Sequence, residues 1–190
     1  MHYKNYISLF LLLTSLQINA QNDSLFKNGD KDVLLAFLNS FKGQSLVLFN
    51  SVHKGLLNSE LNTLKQDSRD SLYNLRNKNL PKSFEFRAKI RDSIYESLKR
   101  NIEYSWTKNH LPSNCKLINH KANSLLNLSE HKKDIVLLVT KPVYIENNTI
   151  AVFQATELYG GLIEGYPIFH FYMKFNNRWS PWLEISYGAF

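Results

Sequence analysis

The sequence predicts an α+β domain in which N-terminal helices, including a helical hairpin, pack on a C-terminal antiparallel sheet of about four strands. Three observations predict it. Apolar residues recur at three- and four-residue steps through residues 57–102. Short β-rich runs broken by Asn-Asn and glycine-rich turns fill residues 134–187. No stretch rich in Gly, Ser or Pro divides the two regions. Residues 21–190 therefore read as a single domain, mainly helical over 31–106 and a β-meander over 134–187.

Residues 1–20 read as an export signal. His2 and Lys4 precede the apolar run Ile7–Leu16, and Ile18-Asn19-Ala20 ends on a small residue before Gln21. The run falls short of the roughly 20 apolar residues of a spanning helix. The expectation is a periplasmic or secreted protein, cleaved near Ala20. Cys115 is the only cysteine, so an exported chain of this kind holds its core by apolar packing without an internal disulfide.

Asp30 is placed to cap a helix over Lys31–Phe41, with Val33, Leu34, Phe37, Leu38 and Phe41 on one face and Gly43 as the stop. Ser45–Phe49 fits a short buried strand or another helix, and periodicity does not decide between them. Leu57, Leu61, Leu64, Ser68, Leu72 and Leu75 mark the first arm of the helical hairpin, closed by Asn77–Pro81. The second arm runs from about Ser83 to Trp106 on Phe86, Ile90, Ile94, Leu98 and Ile102. Arg87, Lys89, Arg91, Lys99 and Arg100 fall on its surface. A short helix is expected around Lys121–Leu128.

Asp134–Thr140 opens the strand region, which bends at Pro142 and turns at Asn147-Asn148 into Thr149–Thr156. The last hairpin spans Tyr166–Ser186 and holds the densest aromatic cluster. A two-residue turn at Asn176-Asn177 would pair Phe175 with Arg178 and leave both faces mixed. A three-residue loop would pair Met173 with Trp179, Phe171 with Pro181 and Phe169 with Leu183, giving one apolar face. The second register is therefore the expected one. Pro181 lacks an N–H and marks the last strand as an edge or as bulged.

The polar face of that hairpin collects His170, Tyr172, Trp182 and Glu184. These are the candidate ligand-binding residues, since two aromatics beside a titratable pair suit a sugar or peptide pocket. No catalytic residue is assigned. His110, Cys115 and His120 do not form a recognisable zinc set, so no metal and no cofactor are expected. Gly160-Gly161 and Gly165 precede no helix, and read as a loop needing positive φ rather than a phosphate cradle.

Without residues 1–20 the chain carries 22 basic and 16 acidic residues, a net charge of +6. Residues 65–133 hold 15 basic against 7 acidic, so the excess lies in the middle of the chain. Export and the interleaving of acids among those bases argue against nucleic acid. A protein partner or an anionic envelope surface fits better.

Thr140-Lys-Pro-Val-Tyr144, Gly160-Gly161-Leu162 with Gly165, and Lys174-Phe-Asn-Asn-Arg-Trp179 resemble a module of uncharacterised exported bacterial proteins. Tyr159 and Ile163 stand where that module carries cysteines, which removes any bridge or metal role from the loop. The resemblance covers about 45 residues and implies a fold module and export, with no activity attached. Helices followed by a curved antiparallel sheet also look like NTF2-like or cystatin-like architecture. The reading is thus a non-enzymatic exported binding or interaction domain. One alternative is a small hydrolase-like enzyme using His170 and Glu184. Another is an inhibitor or immunity-type protein acting through its basic helices.

Overall fold

The computed structural model describes residues 28–52, 54–74, 77–101, 104–119, 131–159, 165 and 167–187. The export signal, the Lys121–Leu128 helix and Gly160-Gly161 lie outside them. The described elements are α1 (Asn28–Leu38), β1 (Leu46–Phe49), α2 (Lys54–Gln66), β2 (Ser71–Tyr73), β3 (Ser83–Glu85) and α3 (Ala88–Arg100). A 3₁₀ turn at Lys108–His110 leads to β4 (Cys115–Ile118) and β5 (Ile135–Val139). They are followed by β6 (Val143–Ile145), β7 (Ile150–Tyr159), β8 (Pro167–Phe175) and β9 (Arg178–Ser186).

The fold class is α+β, but the sheet is larger than expected and mixed. Among the described residues it has seven strands, with the path β4-β1-β5-β7-β8-β9 and β6 paired to β7. β1 runs parallel to both β4 and β5, whereas the C-terminal strands pair antiparallel. Leu46, Val47, Leu48 and Phe49 are all 0–1% exposed. A strand covered on both faces has no alternation to display, which is why the Leu-Val-Leu-Phe run read ambiguously.

Helices cover both faces of the sheet. On one face α1 presents Val33, Leu34, Phe37 and Leu38, with Phe41 just past its end, to Leu46, Leu48, Leu137, Phe153 and Tyr172. On the other, α2, α3 and the β2–β3 hairpin meet β7, β8 and β9 through Leu57, Leu61, Ile94, Phe84, Phe86, Val152, Phe171 and Leu183. Strand β1 divides the chain between the two layers, because α1 precedes it on one side and α2 follows on the other.

The helical hairpin takes a different form from the one expected. α2 ends at Gln66, and α3 runs only over Ala88–Arg100, joined through the small β2–β3 sheet. Leu72 is buried from a strand. The helix stops where the Asp67 carboxylate accepts the Arg69 backbone N–H and side-chain Nε, both at 2.9 Å, a local turn that competes with helix continuation. Arg91 is buried instead of lying on the surface. Its Nη1 donates to the carbonyls of Arg69 (2.6 Å) and Phe86 (2.5 Å), closing the base of the hairpin.

Asp30 also departs from its expected capping role. α1 begins at Asn28, and the fully buried Asp30 carboxylate accepts the Tyr144 hydroxyl at 2.7 Å and lies 3.4 Å from Lys141 Nζ. Gly43 has φ 78°, but α1 ends five residues before it, so Gly43 serves the turn in which the Gln44 N–H donates to the Phe41 carbonyl at 3.2 Å rather than the expected helix stop. Gly165 is needed for closeness rather than for a positive φ, since a β-carbon there would lie 2.5 Å from the Glu157 carbonyl oxygen.

Candidate binding site at the sheet edge

The turn at Asn176-Asn177 has two residues, with φ 47° and 59°. It pairs Phe175 with Arg178 and Met173 with Ser180, so the three-residue loop does not form. Two left-handed asparagines match the twist of the strands they join. A bulge follows. Tyr172 faces Pro181 and Phe171 faces Leu183, so Trp182 is the additional residue. Past the bulge Phe169 faces Ile185 and His170 faces Glu184. The bulge restores the apolar face that the turn alone would have scrambled. It lies on the edge strand beside Pro181, which has no N–H to pair.

The bulge also separates the four candidate residues between layers. His170 and Tyr172 face α1. The His170 ring packs 5.0 Å from Phe37 and stacks 5.3 Å from Phe153. Trp182 turns to the other side, 5.4 Å from Phe84, and its Nε1 donates to the Pro81 carbonyl at 2.8 Å. Glu184 remains at the rim, where its Oε1 lies 3.6 Å from His170 Nδ1, with side-chain exposures of 31% and 6%.

All four nevertheless line one open concavity of about 610 Å³ at the β9 edge. Phe37 of α1, with Ser40 and Phe41 just past its end, forms one wall, and Tyr73 and Asn77 form another at the β2–β3 hairpin. Glu157 of β7 adds a second carboxylate, on the same strand face as Phe153 by alternation. Its Oε2 accepts the Tyr159 hydroxyl. Burial, then the charges of Glu184 and Glu157, push the Tyr172 phenol far above its ordinary range, so it stays protonated. Phe37 and Phe41 were legible only as helix residues, and Glu157 lies one residue past the strand read as Thr149–Thr156. Nothing in the sequence placed α1 over this face.

Away from the edge, the motif residues converge on α1. Thr140 Oγ1 accepts the Gln154 N–H at 2.9 Å, while Lys141 and Tyr144 hold Asp30. Tyr144 packs 5.8 Å from Trp179, over which Lys174 Nζ lies at 5.9 Å. The Thr-Lys-Pro-Val-Tyr step and the Lys-x-Asn-x-x-Trp hairpin thus form one clamp on the start of α1. Cys115 is buried in β4, and burial pushes its thiol up to about 11, which suits packing rather than nucleophilic chemistry. Comparison with known proteins gave no matching family model, no matching curated protein and no matching solved structure.

Proposed function

We propose that the chain is an exported, non-enzymatic binding domain whose ligand enters the concavity at the β9 edge. One observation carries this reading: residues from α1, the β2–β3 hairpin and strands β7 to β9 converge on a single opening lined by aromatic rings. Pockets of this size and lining, with a few polar groups, are the usual form of a ligand site. The acid–base alternative draws on the His170–Glu184 approach. The ring is stacked on Phe153 and tilted against Phe37 with 6% of its side chain exposed, which favours a packing role for the imidazole. The basic-helix alternative is weakened because Lys65 and Lys99 lie over the Tyr95 ring and Arg91 is buried.

Export rests on residues 1–20. Amino-terminal sequencing of protein recovered outside the cytoplasm should read Gln21 first, and an intact Met1 would overturn that part. For the site, a compound library screened by Trp fluorescence and thermal shift should yield ligands whose effect disappears in Ser40→Trp, which fills the wall just past the end of α1. Hits that bind Ser40→Trp equally well would move the site elsewhere.

A further inference from the structure

We infer that the concavity takes an organic cation, an apolar body carrying an amine or guanidinium group. This rests on the binding reading above and adds the ligand's chemistry. Among the described residues lining the concavity, the acidic or basic side chains other than His170 are both carboxylates, Glu157 and Glu184. They approach from β7 and β9, and both charges act on the Tyr172 phenol of β8. This negative spot sits on a chain whose net charge is positive, so it is a local arrangement rather than a reflection of composition.

Two further observations point to a ligand. Among the described residues, the exposed large apolar side chains are Tyr73 (70%), Tyr159 (51%) and Phe175 (48%). Tyr73 lines the concavity, and Tyr159 donates to Glu157 on its wall. Exposed aromatic faces beside carboxylates favour an apolar cation, which gains from both the ring quadrupoles and the charges. The second observation is His170. It lines the same concavity with only 6% of its side chain exposed, and its Nε2 has no hydrogen-bond partner among the described residues.

The test titrates the folded protein with phenethylamine, with its neutral counterpart 2-phenylethanol and with the anion 3-phenylpropionate, followed by Trp fluorescence and calorimetry. Phenethylamine should bind at least about tenfold more tightly than either, weaken with salt, and lose that advantage in Glu157→Gln/Glu184→Gln. The neutral or anionic compound binding as well as the amine would overturn the cation inference and leave the site itself standing. No binding by any of the three would overturn the inference too, while the library screen judges the site separately. If the double variant fails to fold, Glu184→Gln alone should remove part of the preference. An unchanged preference there would count against the inference. A blocked Phe-Arg dipeptide distinguishes the source: tighter binding than phenethylamine identifies a polypeptide side chain, and weaker binding a free amine.

Discussion

At the scale of single residues, polar groups tie the layers together, and Asp67 gives the clearest consequence. Burial raises its pKa, but the hydrogen bonds from Arg69 and Tyr187 more than offset this and hold it down at about 2. The Tyr187 hydroxyl reaches Asp67 Oδ2 at 2.6 Å, joining the end of α2 to the residue after β9. An unfolded aspartate titrates near ~3.9. The stabilisation is therefore complete above about pH 4 and is lost as pH falls through about 2, amounting to roughly 2 kcal/mol. Urea melts from pH 7 down to pH 2 should show Asp67→Asn less stable by that amount at neutral pH, with the difference closing in acid. Asp134, held low by Ser45 and His131, leaves some acid dependence in the variant. An equal gap at all pH values would show that the carboxylate charge is irrelevant. None of these partners was legible beforehand, because Tyr187 and Asp67 lie far apart in the sequence. Pro181, whose missing N–H pointed to an edge or a bulge, carried its own structural signal, as did the asparagine pairs at 147–148 and 176–177, which turn with positive φ.

At the scale of elements, legibility followed periodicity. Strands β5 to β9 could be read because turn residues punctuate them and some still alternate. β1 could not, because its side chains are buried on both faces. The long first arm of the helical hairpin was misread because Leu72 continues the helical spacing of Leu57, Leu61 and Leu64 by coincidence, while burying itself from a strand. The hairpin register failed for a related reason. The demand for an apolar face was correct, but a bulge satisfied it where a longer loop was expected. That bulge predicts an energetic signature. Trp182→Ala should cost about 3 kcal/mol or more, since it empties a site packed on Phe84 and removes the hydrogen bond to Pro81. Trp182→Phe should cost about 1 kcal/mol. Chemical denaturation measures both, and equal costs would mean that the indole fills no defined cavity.

At the scale of the molecule, the helical and strand halves proved less separate than the sequence implied. The candidate site shows this best. His170, Tyr172, Trp182 and Glu184 were found together because they share a hairpin. Their role depends on α1, Tyr73 and Glu157, which only the three-layer arrangement brings near. The placement of β1 between β4 and β5 also has a consequence for the order in which the molecule can be assembled. Both of its partners are made long after it, so a chain emerging from its N-terminus carries Leu46–Phe49 without its first partner until residue 118 has followed, and without its second until residue 139. The antiparallel ladder of β7 to β9 joins neighbours and can close locally, with a small loss of chain entropy. Folding is thus directed backwards along the sequence. The last-made strands are the natural template, and the first-made strand is among the last to find its place.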